Sequence, residues 1–268
     1  MKNIAVVTTF HQAGLDEYAQ RMLDSFAENW PKEISLYAYA EDCDPVSNSD
    51  NIIIRDLHQS SSDLVKFKNQ WKNVPKANGV CPFPERRPKD HHKGFKWDAI
   101  RFAHKVYAIF HCAKNCDADI LMWMDADMYC HSPISLQKIN SLIPDSYDLC
   151  YIGRERKWPE CGLYSINLKT QGGINFLKEF QRVYDNAEDG IFTMEEWHDS
   201  YVFEEVRKTV QPKSLNWAEG LVVGEGHPLI NSDWGAYLDH LKGGRKTQGK
   251  SLRKDLIKPR TESYWKNL

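Results

Sequence analysis

The chain has 268 residues, 41% of them hydrophobic, and a formal net charge of -2. That length suits one large domain with a buried core, and the near-neutral balance excludes a global field for nucleic acid or an anionic membrane. No segment reaches the ~20 apolar residues that span a bilayer.

The run NIAVVTTF predicts a first strand ending in Thr8, Thr9 and Phe10. LDEYAQRMLDSFAENW then predicts an amphipathic helix stopped by Pro31. ISLYAYA and NIIIRDL predict two more strands, and this alternation predicts a parallel sheet covered by helices. Residues 60–73 read as helical. Residues 74–93 are rich in proline and charge and predict a long loop, a place where function often sits; His91 and His92 lie in it, expected as solvated side chains, with a lid or acceptor contact the alternative. A helix is expected over residues 94–114, with Phe95, Ile100, Ala103, Val106, Tyr107 and Phe110 near helical spacing.

CDADILMWMDADMYC follows, with Asp-Ala-Asp on both sides of an apolar run. Residues 120–124 are apolar at every position, which predicts a strand buried on both faces. At ~3.3 Å per residue the two acidic triplets stand roughly 20 Å apart. Ligands of open α/β sheets bind beyond the carboxyl ends of the strands. Asp117 and Asp119 therefore belong to a solvated turn at the wrong end, while Asp125 and Asp127 face the ligand side. Two close carboxylates disfavour each other's ionisation unless a cation lies between them. A divalent ion with oxygen ligands, Mn²⁺ or Mg²⁺, removes that penalty and can hold a diphosphate.

Beyond this point SLQKINSLI predicts a short helix, YDLCYIG and CGLYSINL two strands, and GGINFLKEFQRVYDN and MEEWHDSYVFEEVRK two helices. A last strand is expected over residues 236–241, before a basic tail. The expected organisation is one catalytic domain over residues 1–250, with residues 251–268 packed on it or closing over it. HLKGGRK, residues 240–246, has the spacing His-x-x-Gly-x-x-Lys. His240 is the candidate third ligand to a Mn²⁺-like ion. Gly243 lets backbone approach a phosphate, and Lys246 neutralises it as a point charge. His227 is a rival ligand, but no phosphate-binding pattern follows it. His111, Cys112 and Cys116 lack a second close pair to complete a zinc site. The seven cysteines are odd in number and scattered, which argues against a disulfide framework. The N-terminus has no secretory cleavage pattern, so the expected compartment is the cytoplasm.

With these motifs in place the chain resembles the GT-A glycosyltransferases, especially the glycogenin-like and bacterial galactosyltransferase-like retaining group. The resemblance covers most of residues 1–250. VVTTFHQAGLDEYAQRMLDSF is similar to the family's opening strand and helix, LMWMDADMY to its Asp-x-Asp strand, ECGLYSINL to its acceptor-side strand, and HLKGGRK to its closing motif. It implies a GT-A (nucleotide-diphospho-sugar transferase) fold, Rossmann-like, with a mixed, mostly parallel sheet flanked by helices. It implies an enzyme that moves a sugar from a nucleotide-sugar donor, UDP-linked by expectation, to a carbohydrate or other hydroxyl acceptor. Nucleic acid and a membrane span are not part of that expectation.

By this resemblance Asp127 and His240 hold the metal, which stabilises the leaving nucleotide, and Asp125 shares the metal or the donor ribose. Thr8, Thr9, Phe10, Arg101, Lys105, Ala126, Gly243 and Lys246 meet the donor. Glu160 and Gly162 fall on the acceptor side, with Trp197, Trp158 and His198 available to sugar rings. Two departures stand out: Glu160-Cys161 replaces an Asn before Gly162, and His198-Asp199 replaces an Asp-Gln pair. Asp199 is the expected catalytic residue, contacting the sugar or stabilising positive charge in a retaining enzyme. In an inverting one it deprotonates the acceptor. Two other readings are a non-catalytic nucleotide-sugar-binding module and an Asp-x-Asp phosphohydrolase. The second wants its motif on the first strand, whereas here it lies mid-chain before Met128-Tyr129.

Overall fold

The computed structural model describes residues 2–155, 157–221 and 227–266. Among the described residues seven strands form one sheet: β1 (Ile4–His11), β2 (Ser35–Glu41), β3 (Ile52–Asp56), β4 (Ile120–Met124), β6 (Leu149–Arg154), β7 (Lys157–Asn167) and β8 (Ser214–Asn216). Their order is β3-β2-β1-β4-β7-β6-β8. A separate pair joins β5 (Met128–Cys130) to β9 (Leu238–His240). The architecture is the expected α/β one, Rossmann-like, mixed and mostly parallel. The mixing comes from β7, which runs antiparallel to both β4 and β6.

Side-chain alternation sorts the core onto the two faces of the sheet. On one face Val6, Leu36, Met122 and Met124 pack with Met22, Leu23 and Phe26 of the helix Gln20–Asn29. On the other, Val7, Tyr39, Leu121 and Trp123 meet three helices, Ala99–Asn115, Gln171–Asp185 and Asp199–Val210. β4 is buried at all five positions. Burying each such large side chain contributes roughly 1.5–3 kcal/mol, so the strand that delivers Asp125 is rigidly seated. Asp119, at its other end, accepts the Asn3 amide at 2.8 Å and pairs with Lys169 at 3.0 Å. The first acidic triplet is a structural fastening.

Two helices begin five residues later than their periodicity predicts. Residues 94–97 form a 3₁₀ turn and the helix starts at Ala99, while the later one starts at Asp199. The cause is tertiary. Trp197 donates its amide to Lys96 O at 2.6 Å, and the Trp97 indole donates to Glu195 O at 3.1 Å. The two segments thus bind each other instead of extending their helices, and Asp98 and His198 become the N-caps.

The loop over residues 74–93 is fastened to the same place. Arg86 and Arg87 pair with Glu195, and Arg87 and Lys96 pair with Glu196. Beyond residue 250 the tail folds onto the β5–β9 pair. Ser251 and Tyr264 both bond Asp239, Tyr264 stacks on His131 at 3.9 Å, and Trp265 is buried. Among the described residues no helix is long and apolar enough to cross a membrane. All seven cysteines are free thiols. His111 bonds the Tyr39 hydroxyl at 2.8 Å rather than forming a metal site with its neighbouring cysteines.

Candidate active site

Asp125 lies where β4 ends, its amide tied to Gly162 O of β7 at 2.8 Å. Three residues later the chain enters β5, whose antiparallel register sets Met128 opposite His240. That small sheet is how a residue 113 positions away, 240 less 127 by chain numbering, reaches Asp127. His240 Nε2 stands 3.1 Å from Asp127 Oδ1 and 3.7 Å from Asp125 Oδ2. One ligating atom from each of the three lies within 4.8 Å of the others. Two carboxylates and an imidazole suit a hard-to-borderline divalent ion such as Mn²⁺.

The second oxygen of Asp127 pairs with Lys246 at 3.1 Å. Burial pushes the Asp127 pKa up, but His240 and Lys246 outweigh it and hold the carboxyl well below the usual range. Burial and Lys242 push His240 down, yet the facing Asp127 and Glu160 raise it to about 9. With carboxylates against both ring nitrogens, the imidazole of the metal-free protein carries a proton. Gly243 sits at φ +56°, with open space where a side chain would begin, which lets the chain turn toward Lys246.

Lys105 is placed differently from expectation. It is 8% exposed, and its ammonium bonds Asp125 at 3.0 Å, Asp199 at 2.7 Å and the Cys161 carbonyl. An ammonium has three hydrogens, and all are used here, so none is left for a donor phosphate. It lines the inner wall of the cleft and links Asp125 to Asp199. Burial lowers the Lys105 pKa, but Asp125 and Asp199 raise it above the ordinary value. Asp199 is partly buried, which raises its pKa, and Lys105 lowers it more. As the first residue of its helix, Asp199 also faces the positive end of the helix dipole.

A cleft of about 510 Å³ opens over these groups. Thr9, Phe10, Arg101, Ala126, Asp125, Asp127 and Asp199 line it, as do Tyr18, Glu41 and His104. Thr9 Oγ1 lies 2.8 Å from Tyr39 O and 2.9 Å from Glu41 Oε1. His104 bonds the other oxygen of Glu41. Arg101 is exposed at the mouth. Thr8 is wholly buried and does not line the cleft. Strand alternation turns its side chain from the face that Thr9 uses, so the expectation that it meets the donor does not hold. Glu41 and His104 were not foreseen, although Glu41 ends a parallel strand next to β1, on the ligand side of such a sheet.

A second cleft, of about 800 Å³, shares Phe102 and Asp199 with the first. Phe95, Trp158 and His198 also line it. Trp158 is half-buried and meets Tyr201 edge-on at 4.6 Å. His198 is buried, bonding Glu196 at 3.0 Å. Trp197 is 1% exposed and donates its indole to Met194 O, so it has no face for a sugar.

Glu160 and Gly162, expected on the acceptor side, are both found against His240. Glu160 Oε1 accepts from His240 Nδ1 at 2.7 Å and pairs with Lys242 at 2.9 Å. A side chain begun at Gly162 would meet His240 Cε1 at 2.4 Å. Gly162 is thus the space the imidazole occupies. His227 lies beside this group rather than beside the aspartates.

No protein-family profile matches the chain, and no curated protein does. Among solved structures, apo mouse xyloside xylosyltransferase 1 is similar at TM-score 0.44 and 10% identity, over 79% of this chain and 83% of that one. The apo glycosyltransferase GlyE of Streptococcus pneumoniae TIGR4 is similar at TM-score 0.44 and 14% identity, over 81% of this chain but 45% of its own. A glycosyltransferase involved in the glycosylation of the major capsid of PBCV-1 is similar at TM-score 0.44 and 11% identity, over 92% and 98%. Likenesses of this size carry no functional weight.

Proposed function

We propose that the protein is a metal-dependent glycosyltransferase of the GT-A type. It takes a sugar from a nucleotide donor, with UDP the expected nucleotide, and passes it to a hydroxyl acceptor. The observation that carries this reading is the meeting of Asp125 and Asp127 with the buried His240, the two aspartates lining a cleft that adjoins a second cleft at Asp199. One cleft suits a donor and the other an acceptor, with a carboxylate at the join.

Asp125, Asp127 and His240 would hold the cation, which supplies Lewis-acid stabilisation of a departing diphosphate. The chain's own groups do the rest. Lys246, close to the cation ligands through its pair with Asp127, neutralises a phosphate oxygen. Thr9 and Glu41 offer polar atoms for the nucleoside end of the cleft. Phe95 and Trp158 offer apolar faces to a saccharide acceptor. Lys105 fixes Asp199 relative to Asp125.

The state of Asp199 favours retention over inversion. A general base works best with a pKa near the working pH. Lys105 holds Asp199 below the ordinary carboxyl range, which makes it a weak base and a good partner for positive charge at the anomeric carbon.

Calorimetry with UDP and Mn²⁺ tests the proposal. Binding that needs both and is lost in Asp127→Ala supports it. UDP that does not bind, or that binds Asp127→Ala as well as the native chain, refutes it. The binding-module alternative shares the affinity but shows neither sugar transfer nor slow donor hydrolysis.

A further inference from the structure

Behind His240, on the side away from Asp125 and Asp127, three ligand-type side chains converge in the interior. Glu160 is 2% exposed, His227 7% and His240 2%. One ligating atom from each lies within 4.8 Å of the others. Glu160 uses Oε1 for both His240 and Lys242, and its Oε2 has no partner although fully buried. The Nδ1 of His227 is likewise buried without a partner. A buried polar atom without a partner is destabilising, and two of them, a carboxylate oxygen and an imidazole nitrogen, stand in one small group.

We propose that Glu160, His227 and His240 form a second metal site, selective for a nitrogen-loving ion of the zinc class, which takes His240 away from the Asp125–Asp127 site. Zinc bonds imidazole nitrogen and carboxylate oxygen at about 2.0–2.2 Å, so a contraction of roughly 1 Å or less would bring the three ligands onto one ion. Ligand chemistry separates the two sites. The front site offers two carboxylates and one imidazole, suited to Mn²⁺ or Mg²⁺; the rear offers two imidazoles and one carboxylate, suited to Zn²⁺. They share a single ring. His240 presents Nε2 to the aspartates and Nδ1 to Glu160. A neutral imidazole has one lone pair, so it serves one site at a time with its other nitrogen donating a hydrogen bond. Zinc at the rear therefore turns the Nε2–H toward Asp127 and removes the third ligand of the front site. The ion site stands on its own geometry; its inhibitory effect rests on the function proposed above.

Zinc titration of the native chain, His227→Leu and Asp127→Ala separates the cases. The native chain and Asp127→Ala each bind one Zn²⁺, and His227→Leu binds it more weakly by more than the about 10–100-fold typical of losing a supporting hydrogen bond. Zinc binding that disappears in Asp127→Ala, or that survives intact in His227→Leu, overturns the proposal. X-ray absorption at the zinc edge of the native chain needs no variant: two imidazole nitrogens are expected, and one or none overturns the site. With the site established, Zn²⁺ weakens Mn²⁺ binding in the native chain and leaves it unchanged in His227→Leu. Equal competition in both refutes the shared-ring switch. Manganese that binds neither protein would instead refute the function proposed above and leave the zinc result standing.

Discussion

Raising the pH should tighten Mn²⁺ binding steeply, because His240 must shed a proton before it can ligate. In the metal-free protein its pKa is raised to about 9. At about pH 7 only one molecule in roughly a hundred then holds it neutral, and each pH unit below 9 changes apparent affinity about tenfold, or 1.4 kcal/mol. The expected slope of log affinity against pH is about +1 between pH 6.5 and 8.5, levelling off near 9. Stability of the metal-free protein moves the opposite way. A folded pKa above the unfolded value of 6.5 gives stability that is complete below that pH and lost as pH rises through about 9. The span of 2.5 units sets an upper bound of roughly 3 kcal/mol. The assay is Mn²⁺ binding followed by the resonance of the free ion across this range. Calorimetry in two buffers of different ionisation heat should show about one proton released per ion near pH 7.5. A flat pH profile with no buffer-dependent heat would refute the imidazolium, and with it the role of Asp127 and Glu160 in charging the ring.

Lys105→Met leaves the partly buried Asp125 and Asp199 without their shared cation, and the about 3–5 kcal/mol lost on breaking a fully buried pair is the upper bound on its cost. At roughly 2–4 °C per kcal/mol for a chain of this size, the melting temperature should fall by at most on the order of 10 °C; native-like melting with native-like transfer would refute the link. In Gly162→Ala the new methyl meets His240 Cε1, so the ring must move. Mn²⁺ affinity should drop at least about tenfold with the circular dichroism unchanged, and unaltered affinity would show that the ring has room. Glu196→Gln weakens the ties to Arg87, Lys96 and His198. Hydrogen exchange should then quicken over residues 86–98 and 194–199, and unchanged protection would mean that the cross-bonded backbone alone holds the loop.

The parts of the fold that were legible in the sequence are those whose burial writes an uninterrupted pattern. β4 is apolar at every position because it is covered on both faces, and the Asp pair at its end follows from the direction of the strand. The reversal of β7 was not legible. Its eleven residues are almost wholly buried, so nothing in their order distinguishes parallel from antiparallel pairing. The late helix starts were hidden for another reason. Residues 94–98 and 194–198 carry acceptable helical residues, and only the backbone bonds between the two segments, about 100 positions apart in chain numbering, draw them out of helix. His240 was legible because a Gly and a Lys follow it at spacings with a chemical purpose. Glu160 and Gly162 were assigned to the acceptor because β7 was read alone, without the ring that lies across it.

Lys105 shows what pattern reading cannot supply, which is charge balance in three dimensions. On its helix it follows His104 and looks like part of a polar face, yet it is buried against two carboxylates. Counted as a group, the site holds four acids, Asp125, Asp127, Asp199 and Glu160. Four cations face them: Lys105, Lys246, Lys242 and the protonated His240. The group is therefore close to neutral, which offsets the cost of gathering so many charges in one place. A divalent ion that displaces the His240 proton adds one net positive charge, and that surplus is what a donor's diphosphate would meet. On the proposed function, Lys246 would leave Asp127 for a phosphate more readily than Lys105 would leave its partners. Lys246 is a quarter exposed and its carboxylate would gain a metal in exchange, whereas removing Lys105 would leave two partly buried carboxylates without their shared cation. A partly exposed cation held by one carboxylate, beside a buried one held by two, would let the site change its charge without losing its shape.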